Sequence, residues 1–356
     1  MAALRVAVVF GGPSAEHDIS IRSADSLIEW LSAGGVRVEA VHLRRDRRVA
    51  SATIPPRAAR PSEASALAAA APEPVPLGAA VTRLASEVDA AFPMVHGTLG
   101  EDGSLQGFFA TLGIPCVGCG VGASAVAMDK QLAKSVLMAT TSLRMPRGTR
   151  IARHQAQHAE SVDAACARLE LPLIVKPVDG GSSYGLSRVT TRAALADAVR
   201  RAVAVEGATG ALVEEQVVGD EVTCAVVGDA ASGIATFPPI LIRPRHGGLF
   251  DLDAKYTPGA TDEICPAPFP AGTLRRIEAA AADAYQALGG SGFARVDFML
   301  ADGVPWFLEL NTLPGLTRES LFPKAARAAG RDLPELFVGM VRGAIGVAAQ
   351  ARAAIR

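Results

Sequence analysis

Two stretches near the end of the chain, ARVDFML and PWFLELNTLPG, carry oxygen-bearing side chains inside otherwise apolar runs. Asp297 sits in the middle of the first run, and Glu309 and Asn311 lie two positions apart in the second. With the two-residue period of a β-strand, Glu309 and Asn311 point to one face. Three such side chains on adjacent strands make a site for a hard cation, and Mg²⁺ shared with phosphates fits best. Arg295 alternates with Asp297 on the same face. It can pair with the carboxylates or stabilise charge that develops in a reaction. The plainer alternative, two half-exposed polar faces, fits poorly with flanks this apolar.

A second stretch, VKPVDGGSSYGLSRV at residues 175–189, ends an apolar strand on Lys176 and continues as a Gly/Ser loop. Glycine amides and the hydroxyls of Ser182 and Ser183 can wrap phosphate oxygens, with Lys176 as the counter-charge. The spacing is not G-x-x-x-x-G-K-[ST], so this is no Walker loop. Lys130, opening a helix in AMDKQ, and Lys255, in the loop DAKYTPG, are further lysines in distinctive settings. Any one of them alone could extend to solvent, the commoner fate of a lysine.

The turn GGPSAEHDIS after the first strand lacks G-x-G-x-x-G spacing. Its Glu16 and Asp18 suit a cationic group such as an ammonium. An acidic first helical turn, favoured by the helix dipole, accounts for them equally well. His96 follows an apolar strand and reads either as a packed strand-end histidine or as a phosphate contact. Cys116 and Cys119 form C-x-x-C, but no second pair or His cluster accompanies them, so they read as incidental small residues in a tight loop.

These residues need a scaffold, and the chain is long enough to build one. Its 356 residues predict two or three domains, and 49% hydrophobic content supplies a core. A formal net charge of −1 argues against nucleic acid or an anionic membrane as the main partner. No stretch is long and apolar enough to span a bilayer. Five cysteines without a secretion signal read as free thiols in a reducing cytoplasm.

The pattern LRVAVVF, Gly turn, helix IRSADSLIEWL and strand VRVEAVHL opens a doubly wound α/β unit. Residues 52–87, rich in Ala and Pro, read as a long connection with room for one short helix. A long helix is expected over MDKQLAKSVLMATTS, a single strand over ATFPPILI, and one helix at the C-terminus. The division expected is 1–120, an N-terminal α/β domain; 121–213, with the phosphate loop; and 214–356, with the acidic strands.

Taken in order, GGPSAEHDIS, FPMVHGTLGEDGSLQG, AMDK, VKPVDGGSSYG, EEQVVGDEVTCAVVG, DAKY, RVDFML and LELNTLPGLTRESLFP resemble the D-alanine–D-alanine ligases of the ATP-grasp superfamily. The resemblance covers the chain except residues 45–87. It implies three domains, with ATP held between two α+β domains, and ligation of two D-alanines through an acyl phosphate for peptidoglycan precursor synthesis. It implies that Lys130, Lys176, Ser183 and Lys255 contact ATP phosphates, that Glu214 and Glu221 hold the adenine amine and the ribose, and that backbone from Glu215 to Val217 lines the base. Asp297, Glu309 and Asn311 would bind two Mg²⁺, with Mn²⁺ as a substitute ion. Glu16 would bind the ammonium of the first D-alanine, with His96 on the substrate side. Arg295 would stabilise the acyl phosphate and the oxyanion, and Ser320 and Leu321 would hold the second D-alanine's carboxylate. Ser182 and Tyr256 would complete a hydrogen-bonded triad with Glu16. A homodimer is implied too. The chain departs from the family at Gly180, where a glutamate often stands, and at Phe250 and Leu252, where tyrosine is usual. Two rival readings are a ligase with D-serine, D-lactate or another second substrate, and a silent nucleotide-binding regulator, which the intact acidic and Arg set disfavours.

Overall fold

The structure, a computed structural model, describes residues 3–58, 66, 74–181, 183–245, 257 and 259–355. The chain begins with β1 (Arg5–Gly11), α1 (His17–Ala33), β2 (Arg37–Leu43), β3 (Arg48–Ile54), β4 (Val75–Pro76), α2 (Leu77–Glu87) and β5 (Ala90–Pro93). These strands form one sheet in the order β4-β3-β2-β1-β5. Strands β2, β1 and β5 run parallel, as the opening pattern predicts, while β3 and β4 extend the sheet antiparallel on the β2 side. β1 is buried on both faces, which is why its sequence is a continuous apolar run. The expected connection over 52–87 therefore gives up its first residues to β3 and its last to α2.

The middle of the chain contributes α3 (Ser104–Thr111), α4 (Val121–Met128), α5 (Lys130–Thr140), β6 (Gly148–Ala152), α6 (Ala159–Ala165), β7 (Leu173–Pro177), β8 (Ser187–Val189), α7 (Leu195–Ala204) and β9 (Gly210–Glu215). The expected long helix is α5. Asp129 starts it by accepting a hydrogen bond from the Leu132 amide at 2.9 Å. Strands β6-β9-β7-β8 form a four-stranded sheet.

The remainder is β10 (Asp220–Asp229), β11 (Gly233–Thr236), β12 (Ile240–Pro244), β13 (Thr261–Ile264), α8 (Ala271–Ala287), β14 (Phe293–Ala301), β15 (Val304–Asn311), α9 (Leu321–Ala328) and α10 (Leu333–Ile355). A third sheet runs β13-β12-β10-β14-β15, with β11 paired to β10. The expected single strand over ATFPPILI is two strands, because Pro238 and Pro239 offer no backbone N–H to a ladder. The expected single C-terminal helix is also two, broken around Gly330, whose φ of 70° suits glycine.

α10 returns to the first sheet. Phe337 stacks on Trp30 of α1 at 5.2 Å between ring centroids and meets Phe92 of β5 edge-on. Phe322 of α9 joins the same cluster. The two ends of the chain thus share a core, and each such ring contributes roughly 1.5–3 kcal/mol by leaving water. This anchors the N-terminal sheet beside the third sheet and opens a cleft between them and the four-stranded sheet.

Candidate active site

β14 alternates Ala294, Val296, Phe298 and Leu300 into the core with Arg295 and Asp297 on the other face. On β15, Glu309 stands opposite Asp297 and Asn311 opposite Arg295, just before a bulge that shifts the register. Two carboxylates directly opposed across strands repel, so the pair requires cations nearby. Arg295 supplies one, donating through Nε to Asp297 Oδ1 at 2.9 Å and through Nη2 to Oδ2 at 2.8 Å. Burial works against the charge of Arg295, but Asp297 outweighs it and the guanidinium is held firmly protonated. Thr223 of β10 donates a third hydrogen bond to Asp297, at 2.5 Å. Lys130 Nζ lies 3.2 Å from Glu309 Oε2.

Asp297, Glu309 and the Asn311 side-chain oxygen are the hard donors of this face, and among the described residues no cluster of three or more His, Cys, Asp or Glu side chains competes with them. The donor set therefore fits a divalent cation of the Mg²⁺ type better than a thiolate-seeking metal.

Behind this face lies a second charged group. Glu214 of β9 is 2% exposed and sits between two lysines. Lys134 Nζ contacts Oε1, and Lys176 Nζ is 3.0 Å from Oε2. Burial would raise the Glu214 carboxyl, but the two ammonium groups outweigh it and hold it below its usual range. Lys134 is pushed down to about 8, chiefly by burial, against the pull of Glu214. Lys176 goes the other way: burial opposes its charge, but Glu214 and Glu309 together hold it above its usual range. Lys134 was not singled out in the sequence. Its signal was the spacing MDKQLAK, which places it one helical turn from Lys130 on the same face.

The Gly/Ser loop closes the cleft from above. Lys130 Nζ donates to the Gly180 carbonyl at 2.6 Å. A Cβ on Gly181 would lie 3.5 Å from a Glu16 carboxylate oxygen, so loop and first helix meet closely there. Ser183 holds a φ of 58°, unusual for a residue with a side chain. Gly180, which departs from the glutamate often found there in the family it resembles, has a φ of 112°, which glycine adopts freely.

Lys130, Lys176, Glu214, Glu221, Asp297 and Glu309 border one cavity of about 630 Å³, as do Ser183, Glu215 and Val217. A second cavity, of about 550 Å³, is bordered by Glu16, His96, Arg295, Asn311, Ser320 and Leu321. The two share Glu16, Lys130, Arg295 and Glu309. Ser320 precedes α9 and receives the Thr317 amide at 3.0 Å. Buried His96 is held by Ser23 at 3.1 Å and faces Glu101 at 3.4 Å, two contacts that sequence reasoning did not anticipate. Ser182, Lys255 and Tyr256, like Phe250 and Leu252, lie outside the described residues. Cys116 and Cys119 stand apart from both cavities, and burial pushes their thiols up to about 12 and about 11.

A mixed α/β sheet joined to two further sheets, enclosing a cleft of lysines over an acidic strand pair, defines an ATP-grasp architecture. Residues 5–119 match the family model for the D-ala D-ala ligase N-terminus, and residues 137–342 match that for the D-ala D-ala ligase C-terminus. The D-alanine–D-alanine ligase of Desulforudis audaxviator is 36% identical, covering 95% of this chain and 97% of that protein. Two solved structures are similar. The VanG D-Ala:D-Ser ligase from Enterococcus faecalis gives a TM-score of 0.82 at 29% identity, covering 97% of this chain and 100% of that one. The D-alanine–D-alanine ligase from Coxiella burnetii gives 0.80 at 27%, covering 100% and 98%. The chain belongs to the D-alanine–D-alanine ligase family.

Proposed function

We propose that the chain joins two D-alanine molecules into D-alanyl-D-alanine at the expense of ATP, through an acyl phosphate, and so supplies peptidoglycan precursor synthesis. Family membership makes it an ADP-forming ligase that uses ATP, D-alanine and a divalent cation. The observation that carries the reading at residue level is the continuity of the two cavities. Lys176 and Asp297 border one, His96 and Ser320 the other, and Glu16, Lys130, Arg295 and Glu309 stand at both.

In this reading Glu16 pairs with the ammonium of the first D-alanine and points its carboxylate toward the cleft. That carboxylate oxygen attacks the γ-phosphorus, the bond to the bridging oxygen breaks, and ADP leaves. Lys130, Lys176 and Lys255 hold the phosphates, Ser183 caps them, and Glu214 and Glu221 take the base amine and the ribose, with backbone from Glu215 to Val217 along the base. Asp297, Glu309 and Asn311 would hold two Mg²⁺ ions, or Mn²⁺ in their place, which when bound would supply positive charge to neutralise the phosphates. Ser320 and the Leu321 amide, at the start of α9, hold the second D-alanine's carboxylate, a favourable place for an anion. Its amine, once deprotonated, attacks the acyl carbon. The tetrahedral oxyanion forms near Arg295, and collapse expels phosphate. Ser182 and Tyr256 link to Glu16 and close the site against water, with His96 behind the first substrate.

The division into 1–120, 121–213 and 214–356 is our reading of the three sheets, and we assign a cytoplasmic homodimer. Among the described residues no helix is long and apolar enough to cross a membrane. The likeness to a D-Ala:D-Ser ligase makes D-serine the alternative second substrate. The test is ADP release with ATP and Mg²⁺, given D-alanine alone, then D-alanine with D-serine or D-lactate, and products identified by mass spectrometry. Dipeptide from D-alanine alone, with one ADP per bond, is expected. No ADP release above background would overturn the assignment, and a dominant D-alanyl-D-serine product would reassign the second substrate.

A further inference from the structure

Glu214 has two cationic partners, and they are not equivalent. Lys176 borders the larger cavity together with Glu214 itself, and 14% of its side chain is exposed. Lys134 does not border that cavity, and 4% of its side chain is exposed. It approaches Glu214 from α5, behind the carboxylate, and holds Oε1 while Lys176 holds Oε2. Two ammonium groups share one carboxylate at the wall of a buried cleft, while Glu309 and Glu221 also act on Lys176 from the cavity side. An arriving anion gives one of the two lysines another partner. Lys176, the one with access, can swing to an arriving phosphate. Lys134, buried and off the cavity wall, cannot.

We propose that Lys134 is a positioning residue, the fixed partner that keeps Glu214 ionised and aimed while Lys176 transfers from Glu214 to the nucleotide phosphates. The exchange leaves one carboxylate and one ammonium behind, a balanced buried pair. It also frees Oε2 as an acceptor on the cavity side, where the exocyclic amine of an adenine donates. Charge recognition of the phosphates is thereby coupled to hydrogen-bond recognition of the base, since Oε2 becomes available as Lys176 is drawn away. Without Lys134, departure of Lys176 would strand a buried carboxylate alone, and Glu214 would keep Lys176 from the phosphates. This inference rests on the proposed role of Glu214 toward the base.

The experiment compares steady-state kinetics of the parent, Lys134→Met, Lys134→Gln and Glu214→Gln with ATP and with inosine triphosphate, whose base carries an oxygen in place of the amine. For Lys134→Met, KM for ATP should rise at least about tenfold, the scale of a lost charge-assisted hydrogen bond, with KM for D-alanine within about twofold of the parent. The preference for ATP over inosine triphosphate should fall by about tenfold as well. A merely structural lysine would lower the thermal midpoint without moving that preference. Lys134→Gln retains an N–H donor in a similar volume and serves if the methionine variant does not fold; a smaller shift in the same direction is expected. An unchanged preference and unchanged KM for ATP in either folded variant would overturn the inference. If Glu214→Gln also leaves the preference unchanged, the role of Glu214 toward the base falls too. If Glu214→Gln removes it and the Lys134 variants do not, only the present inference fails.

Discussion

Asp297 and Glu309 stand directly opposite each other on β14 and β15, two carboxylates on one face with Arg295 against the first and Lys130 against the second. Glu309 repels Asp297 across the strands but also lies beside Lys130 and helps hold Lys176 and Arg295 charged. The two effects oppose each other, so Glu309→Gln should shift the thermal midpoint by no more than a few degrees. Turnover with saturating Mg²⁺ should fall on the order of 10²–10³-fold, the scale of removing one preorganised charge contact. Differential scanning fluorimetry and ADP release measure the two effects separately. Near-parent turnover would remove Glu309 from the metal site.

Gly100 makes a second, purely steric prediction. A Cβ at this position would lie 1.6 Å from the Val95 carbonyl oxygen, so even alanine forces the backbone apart. The loop that must move carries Glu101, the neighbour of His96. Gly100→Ala should cost about 2–4 kcal/mol, visible as a lower denaturation midpoint in urea. It should also raise KM for D-alanine if His96 lies on the substrate side. A midpoint equal to the parent's would contradict the close approach of Gly100 to the Val95 carbonyl.

His42 sets the acid limit of the N-terminal sheet. It stacks on Phe10 at 5.4 Å, faces His17 Nε2 at 3.3 Å, and its buried Nδ1 has no hydrogen-bond partner. Burial, then the nearby His17 and Arg44, push its pKa down to about 4, with Asp46 pulling weakly the other way. The unfolded chain binds a proton on this imidazole below pH ~6.5, whereas the folded chain does so only near 4. Stability is therefore full above the unfolded value and is lost as pH falls from about 6.5 toward 4, by about 1–2 kcal/mol after solvent screening. His42→Leu should flatten the fall of thermal midpoint between pH 6.5 and 4.5. Parallel curves for parent and variant would sink the assignment.

The C-x-x-C pair should be chemically silent. Thiols held this far above their ordinary range by burial are poor nucleophiles and poor metal ligands at neutral pH. Cys116→Ala with Cys119→Ala should keep parent activity with and without reductant, and the parent should contain no stoichiometric zinc by elemental analysis. Activity that depends on reductant in the parent alone would assign the pair a redox role.

Much of the site was legible because its side chains lie on strands, where a period of two fixes which residues share a face. Asp297, Glu309 and Asn311 could be placed together from their spacing. The lysines were recognisable by setting but not by partner: nothing local in LIVKP says that Lys176 meets Glu214 on a strand thirty-eight positions away. Lys134 was invisible for the same reason, and also because a lysine inside an amphipathic helix ordinarily faces solvent. Of the fold, the doubly wound opening was readable, since β1 is apolar throughout. The return of α10 to stack Phe337 on Trp30 was not, because two helix faces separated by most of the chain carry no mutual signal in sequence. β3 was missed because RVASATI alternates small and polar residues and follows a turn of three arginines and an aspartate, which reads as loop.

Arg295 provides the most demanding test, because it is committed twice. Nε and Nη2 are fixed on Asp297, so the guanidinium has a set orientation, and its remaining N–H groups serve the junction of the two cavities. A lysine keeps the charge but has a single ammonium. It can hold Asp297 or reach the reacting centre, not both with good geometry. Phosphoryl transfer to the first D-alanine draws on several cations, so losing the fork should slow it moderately. The tetrahedral oxyanion exists only in the second step, and Arg295 is its proposed partner. Arg295→Lys should therefore slow dipeptide formation on the order of 10²–10³-fold while KM for ATP stays near the parent value. The acyl phosphate, formed faster than it is consumed, should be lost to water. ADP released per dipeptide, measured by coupled assay and mass spectrometry on the same sample, should rise clearly above one. A ratio that remains at one, with turnover reduced, would place Arg295 in phosphoryl transfer rather than in stabilising the oxyanion. A ratio of one with turnover unchanged would remove Arg295 from the chemistry altogether.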